Sequence, residues 1–243
     1  MAFSRAFAPS PLVHADRLTS RMVGIGMNFA ASPAPEPNIE DTILFASIEG
    51  MEKYDLRVLA VLLTWFGVHV AWVNADRLTK LVAAQSSPRV RAFWSAVARW
   101  QKRDRRFARL ERLYVEPRLD LIETGTEFQV KRHGEDSRFE GSAIRVAANV
   151  LRDRVADVLQ PVDLARRHHA YRCRVMVGPG YRADMWAALE EEPTLSAAAL
   201  ARRTYGSFAT AWHVRRDFAL LSPALSPGSK IIRAHRSNPA RHP

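Results

Sequence analysis

The sequence contains a single cysteine, Cys173, among 243 residues. One cysteine cannot form a disulfide within the chain, and it excludes a metal cluster held by several thiolates of that chain. A nucleophilic thiol needs a positioned base, and although His168 and His169 are near in sequence, a buried structural thiol is the more common case. We therefore predict that Cys173 is structural and that the protein works in the reducing cytoplasm.

Long apolar runs are also missing. The most apolar stretch, residues 59–73, includes His69 and is shorter than the roughly 20 residues that a helix needs to cross a bilayer. The N-terminal residues have no apolar core of the length found in secretory signals. We expect no membrane partner, and we interpret residues 56–70 as a helix that is either buried at the centre of the fold or used as a dimer interface.

Acidic residues are outnumbered, since 25 Asp and Glu stand against 36 Lys and Arg for a formal net charge of +11. Such an excess favours a polyanionic partner, although an Arg-rich composition alone also produces it. The densest basic cluster lies between residues 99 and 112. Its candidate phosphate contacts are Arg99, Lys102, Arg103, Arg106 and Arg109. A solvated face paired with Asp104 and Glu111 explains this cluster equally well.

Helix signals dominate residues 38–116, for which we predict a helical domain. Asn38, Asp55 and Ser87 each precede an apolar pattern of helical period, and a proline follows Ser87. We expect Gly50 to end the first of these helices. Residues 1–37, which include the proline-rich segment "SPAPEP", are predicted to be a disordered extension, and translation starts at either Met1 or Met27.

Residues 117–180 are predicted to form a mixed α and β middle segment. Phe128 and Val130 alternate with polar residues, "HGED" supplies a turn, and Ile144 and Val146 alternate again. This pattern predicts a β-hairpin.

The sequence matches the known catalytic and phosphate-binding motifs poorly. The "GPG" at residues 178–180 lacks the lysine and hydroxyl residue of a phosphate-binding loop. In "RRHHAYR", residues 166–172, His168 and His169 would point about 100° apart on a helix and could not readily share one metal ion. We therefore predict no catalytic residue, no metal site and no cofactor.

The segment "EEEPTLSAAALARRTYGSFATAWHVRRDFALL" ends the ordered part of the sequence. With the residues before it, it predicts three helices at 182–191, 196–203 and 207–221, joined by "EPTL" and "TYG". Small alanines where helices cross and a glycine in the turn are typical of a helix-turn-helix. The predicted fold is thus mainly α, with a helical N-terminal domain, a middle segment containing a β-hairpin, and a helix-turn-helix at residues 181–221.

The last of these helices is predicted to be amphipathic. We expect one side to be buried, formed by Phe208, Ala211, Val214, Phe218 and Leu221. We expect the other to bind DNA, because Arg bonds guanine or phosphate, and hydroxyls bond bases or backbone. The candidate DNA contacts are Ser207, Thr210, His213, Arg215 and Arg216, with Lys230, Arg233 and Arg236 from a basic tail at 222–243 predicted to be disordered.

"LSAAALARRTYGSFATAWHVRRDFALL" resembles the helix-turn-helix of bacterial transcriptional regulators, and "YRADMWAAL" is similar to the segment that opens the DNA-binding region of AbiEi-type antitoxins. The resemblance covers roughly forty residues. It implies a sequence-specific regulator that binds double-stranded DNA, antitoxin-like or autoregulatory in a defence operon, with a homodimer and a cognate toxin as further partners. The turn is one residue longer than usual, and "SKIIRAH" is the only candidate for a wing.

Two other function classes remain open. An adaptor whose basic face meets an acidic protein needs the charge but no particular DNA sequence. A nucleotidyltransferase-like enzyme would use Gly206, Ser207 and Asp217, but position 219 is alanine where a second metal-binding acid is needed.

Overall fold

The computed structural model describes residues 15–221, which are mainly helical with one two-stranded sheet. The helices are α1 (Ala15–Gly24), α2 (Ile39–Glu52), α3 (Leu56–His69), α4 (Ala75–Ala83), α5 (Pro88–Trp100), α6 (Ala108–Glu111), α7 (Thr126–His133), α8 (Pro161–Arg167), α9 (His169–Val177), α10 (Tyr181–Glu191), α11 (Ala197–Thr204) and α12 (Phe208–Leu221). The strands are β1 (Leu119–Asp120) and β2 (Ile144–Arg145). The mainly α class is confirmed, and no helix in this range is long and apolar enough to span a membrane.

The predicted helix starts of the N-terminal domain are confirmed. The side chain of Asn38 accepts a hydrogen bond from the Asp41 amide at 3.1 Å, and Asp55 caps α3 through the Val58 amide at 3.0 Å. Ser87 caps α5, with a proline in the first turn. Each cap satisfies an amide that has no partner within its own helix.

Gly50 does not end α2, which continues to Glu52. A Cβ atom at Gly50 would overlap the side chain of Leu59 on α3. The glycine therefore lets two buried helices approach each other closely, and the prediction of a stop at this position is wrong.

The prediction of a disordered extension does not hold for residues 15–37. Leu18 and Met22 of α1 are buried in the main core, and Met27 forms an isolated antiparallel bridge with Val158. The indole of Trp65 donates a 2.7 Å hydrogen bond to the Ile25 carbonyl. This segment is part of the folded body, and only residues 1–14 of the predicted extension lie outside the described range.

Helix α3 forms the centre of the fold. Its residues 58–66 are all buried, and α2 packs along it. Elements of the same chain cover residues 58–66, so these residues offer no face to a second copy. Core burial thus accounts for the apolar character of this helix, and a homodimer stays a prediction.

The predicted hairpin of the middle segment is wrong. Phe128 and Val130 lie in helix α7, which Gly125 and Gly134 bound with positive φ angles of 88° and 82°. Phe128 is 61% exposed, so its alternation with polar residues does not reflect one buried face. The short strand β2 instead pairs in parallel with β1, Leu119 opposite Ile144.

His69 at the end of α3 ties the later part of the chain to the core. Its Nε2 lies 3.0 Å from the Leu159 carbonyl and its Nδ1 lies 2.8 Å from the Tyr171 hydroxyl. Since a carbonyl only accepts, Nε2 carries the proton and Nδ1 accepts from Tyr171. Burial lowers the pKa of His69 to about 4, against a smaller raising effect of the Leu159 hydrogen bond.

From the lowered pKa of His69 we expect the folded protein to lose stability in acid. The pKa of His69 is about 4 in the folded chain and near 6.5 in the unfolded chain. Between these pH values the unfolded chain binds more protons, so the unfolding free energy falls as the pH drops from about 6.5 towards about 4. The loss from His69 is on the order of 3 kcal/mol. We expect His69→Gln, which can still donate and accept, to flatten this pH dependence in urea unfolding.

The exposed His133→Gln is the matched control and should retain the pH dependence of the wild type. If the unfolding free energy of His69→Gln and of the wild type fell equally between pH 7 and pH 4, His69 would not be the source of the acid sensitivity.

Candidate nucleic-acid interface

Helices α10, α11 and α12 pack together as a trihelical unit. They share a core that includes Met185, Leu189, Leu200 and Val214, separate from the main core. The three helices begin and end within one residue of the predicted limits. Their alanines, among them Ala211, lie where the helices approach each other.

Helix α12 is amphipathic, although less regularly than predicted. Ala211, Val214 and Phe218 are buried, as expected. Phe208 and Leu221 are exposed, because they are the terminal residues of α12 and are left uncovered by α10 and α11. The prediction that these two residues are buried is wrong.

The turn between α11 and α12 is tightly constrained. Tyr205 adopts the left-handed region with φ of 58°. A Cβ at Gly206 would overlap the Met185 side chain, so only glycine fits there without displacement. Ser207 accepts from the Thr210 amide at 2.9 Å and caps α12.

Tyr205 also anchors this turn to the N-terminal domain. The guanidinium carbon of Arg77 lies 3.5 Å from the centroid of the Tyr205 ring. The Tyr205 hydroxyl donates to Asp41 at 3.3 Å. Arg77 is fully buried and pairs with Asp41 at 2.8 Å. The turn is therefore fixed by an aromatic contact and a hydrogen bond to groups in α2 and α4.

Beneath this contact lies a buried ion network centred on Arg174 of α9. Its guanidinium binds both oxygens of Glu40 at 2.6 and 2.8 Å, and both oxygens of Asp184 at 2.7 and 2.9 Å. Its remaining N–H donates to the Trp72 carbonyl at 3.2 Å. All five donors of Arg174 are thus used, and the side chain is 1% exposed.

The two carboxylates respond differently to this environment. Burial would raise the pKa of Glu40, but Arg174, Arg77 and the Asn74 amide together hold it below its usual value. Burial raises the pKa of Asp184 above its usual value despite the opposing charge of Arg174. The network therefore joins α2, α9 and α10 through charges that depend on one another.

The exposed side of α12 carries most of the predicted DNA contacts. His213 and Arg215 are exposed and have no ion-pair partner among residues 15–221. Arg216 pairs with Asp217 at 3.1 Å, and Asp217 also pairs with Arg182 at 3.1 Å. The structure thus brings these predicted contacts onto one helix.

Two predicted contacts are already engaged within the helix start. The hydroxyls of Ser207 and Thr210 lie 2.6 Å apart, and Ser207 is the cap of α12. Their first role is structural. Lys230, Arg233 and Arg236, together with the candidate wing, lie outside the described residues.

The basic cluster divides into paired and unpaired side chains. Arg99 pairs with Glu111 at 3.5 Å, and Arg106 pairs with Asp104 at 2.6 Å and donates to the carbonyls of Val70 and Val73. Arg106 therefore mainly fixes a turn.

Lys102, Arg103 and Arg109 are exposed, with no ion-pair contact to an acid within the described range. The paired interpretation thus accounts for Arg99 and Arg106, and Lys102, Arg103 and Arg109 stay candidate phosphate contacts.

The cluster borders the trihelical unit through α4. Asp76 on α4 accepts from Lys80 at 2.6 Å and from the hydroxyl of Tyr181, at the start of α10, at 3.0 Å. Burial acts to raise the pKa of Asp76. The two hydrogen bonds, together with the charge of Arg109, outweigh this effect and lower the pKa. Tyr181 and Thr210 both line a groove of about 370 Å³. Tyr181 therefore contacts Asp76 on α4 and also lines the groove beside the start of α12.

A larger cleft of about 590 Å³ lies on another side of α10, lined by Glu36, His168, His169 and Glu190 among others. His168 is buried, caps α9 through the Tyr171 amide and donates to the Pro37 carbonyl at 2.9 Å. Its role is structural.

The predicted burial of the thiol is confirmed, because Cys173 is 1% exposed. Burial, with the nearby charge of Glu190, raises the pKa of its thiol to about 11.

Sequence reasoning missed the residues that hold the interface in place. These residues are Glu40, Arg174 and Asp184, and no local pattern of the sequence indicates that they meet. An arginine inside the buried stripe of a short helix is the one feature that could have indicated a buried partner.

Comparisons with protein-family models, with curated proteins and with solved structures gave no match to this chain.

The ion network predicts a large effect of a single substitution. Arg174→Met leaves Asp184 buried without its bidentate partner and leaves Glu40 with only the 3.7 Å ion-pair contact to Arg77, which costs about 3–5 kcal/mol of unfolding free energy. Arg174→Lys should lose less unfolding free energy than Arg174→Met, because an ammonium keeps the positive charge. It still loses some, because an ammonium cannot bind both carboxylates in a fork. Urea unfolding of both variants measures this order.

Arg172→Met, at an exposed position of the same helix, is the control and should change stability by no more than about 0.5 kcal/mol. A loss below about 1 kcal/mol for Arg174→Met would mean that the network does not hold the domains together.

Proposed function

We propose that this protein binds double-stranded DNA in a sequence-specific manner, with α12 as the recognition helix. The observation that carries the proposal is the packing of α12 on α10 and α11, which leaves His213, Arg215 and Arg216 exposed on one short helix. An exposed helix of this width fits the major groove, where arginine bonds guanine in a fork.

Each exposed side chain has a different task in this proposal. Arg215 has no ion pair to break among the described residues and contacts base or phosphate directly. Arg216 is held by Asp217 at 3.1 Å, so it must exchange a carboxylate for a guanine edge or a phosphate. Because Asp217 also pairs with Arg182, it keeps a partner when Arg216 leaves.

The helix start adds a sequence-independent contact. Ser207 and Thr210 define the first turn of α12, and the partial positive charge at that end favours a phosphate. Lys102, Arg103 and Arg109 supply further phosphate contacts from the exposed part of the basic cluster, and Lys230, Arg233 and Arg236 would add contacts from the tail.

Within this proposal the protein is a cytoplasmic transcriptional regulator, antitoxin-like or autoregulatory in a defence operon, and the function is binding without catalysis. Paired half-sites would require a homodimer. Since residues 58–66 of α3 are buried, the dimer must use a surface other than these residues. A cognate toxin would be a separate partner.

A protein-interaction adaptor is the second candidate, and one observation favours it. Phe208 and Trp212 are 59% and 50% exposed, and Leu220 is 75% exposed, all on α12. Large apolar side chains exposed on one helix are typical of a surface that meets another protein. In that case the charge matters and the DNA sequence does not.

The decisive experiment is a salt-titrated binding assay with the upstream DNA of the protein's own gene and a scrambled duplex of equal length. We expect the upstream duplex to be preferred by about a hundredfold or more. Arg215→Ala/Arg216→Ala should remove this preference because it removes the contacts to base edges.

The control is Arg132→Ala/Arg152→Ala, which removes the same charge from exposed positions outside α12. It should leave the preference intact. Equal binding of both duplexes by the wild type would place the adaptor first.

The basic cluster predicts a different signature. Lys102→Ala/Arg103→Ala/Arg109→Ala should weaken upstream and scrambled DNA alike. It should also reduce the slope of log affinity against log salt by about 0.9 for each lost phosphate contact. A slope equal to that of the wild type would show that these residues do not contact DNA.

A further inference from the structure

Three side chains with metal-binding atoms meet between α9 and α10. His169 and Cys173 are one helical turn apart on α9, so they share one side of the helix. Glu190 faces them from α10. Its Oε2 lies 2.5 Å from His169 Nε2 and 3.9 Å from Cys173 Sγ, and the three donor atoms lie within 4.8 Å of one another.

We propose that His169, Cys173 and Glu190 form a binding site for a divalent transition metal, with Zn²⁺ as the preferred ion. Imidazole nitrogen, thiolate and carboxylate are the donors that zinc uses in proteins, at roughly 2.0–2.3 Å. A tetrahedral ion places its donors roughly 3.3–3.7 Å apart. Small side-chain rotations therefore suffice to bring the three atoms onto one ion.

The surroundings of the thiol favour this use. The thiol of Cys173 donates to Glu190 over 3.9 Å, which is a weak contact for a buried sulfur. Cys173 packs against Ala183 and Ala187, and Ala187 also lines the 590 Å³ cleft. A fourth ligand, water or a small anion, can therefore reach the ion from the cleft.

Charge and protons balance at this site. A thiolate and a carboxylate neutralise a divalent ion, and a neutral imidazole adds no charge. The thiol proton passes to solvent when the ion binds. The imidazole proton, which points from Nε2 to Glu190 without metal, moves to Nδ1.

Arg172 opposes this step. Its Nη2 donates to Nδ1 of His169 at 2.9 Å, which holds the imidazole in the form with its proton on Nε2. Arg172 is exposed and must swing away before Nε2 can bind an ion. The hydrogen bond from Arg172 to His169 therefore competes with metal binding, and removing Arg172 should tighten metal binding.

The test is a titration of the full chain with Co²⁺, followed by absorption spectroscopy. Because Cys173 is the only cysteine of the sequence, a thiolate-to-cobalt charge-transfer band can come from this site alone. We expect the band to saturate at one Co²⁺ per chain and to disappear when Zn²⁺ displaces cobalt.

Variants then assign the ligands. Cys173→Ser should abolish the band, whereas His169→Ala and Glu190→Gln should weaken cobalt binding by at least about tenfold. Arg172→Ala should strengthen it. The matched controls are His133→Ala and Glu127→Gln, which change the same residue types at exposed positions of α7 and should bind cobalt as the wild type does.

Two results would overturn the proposal. One is the absence of a charge-transfer band at any cobalt concentration that leaves the protein folded. The other is a charge-transfer band that appears while the affinity of the protein for cobalt is unchanged in both His169→Ala and Glu190→Gln. These two variants change partly or well exposed side chains, so they remain informative even if Cys173→Ser does not fold.

Discussion

The buried guanidinium of Arg174 is the contact on which the arrangement of this protein depends. It binds Glu40 of α2 and Asp184 of α10 at the same time, and thereby joins the N-terminal helical domain to the trihelical unit. Such a network is often no more stabilising than apolar packing, but it allows few alternative arrangements because every donor requires its acceptor. The orientation of α10, and of α12 packed on it, is fixed by this geometry.

Tyr205 extends the same constraint to the turn before α12. Its ring covers Arg77, whose Nη1 has no hydrogen-bond partner in the described part of the chain, so the aromatic face provides the remaining favourable contact. The exposed residues of α12 are therefore presented by a rigid support. A recognition helix needs such a support, since its side chains must meet base edges within a fraction of an ångström.

Local signals in the sequence predicted local structure well. Asn38, Asp55 and Ser87 mark helix starts because a side-chain cap depends only on neighbouring residues. Phe128 misled the prediction, because a period of two indicates a strand only when one face is buried. The ion network could not be predicted, since residue 40 and residue 174 meet only through the tertiary fold. The exposed contacts on α12 followed from its helical period, but their support did not.

The most direct test of the account is amide hydrogen exchange of the full chain, with and without a saturating upstream duplex. The account predicts slower exchange in residues 207–216, where α12 begins, and unchanged exchange in residues 58–66 of the buried helix α3. Protection confined to other surfaces, or no protection while the duplex is bound, would contradict the claim that α12 reads DNA.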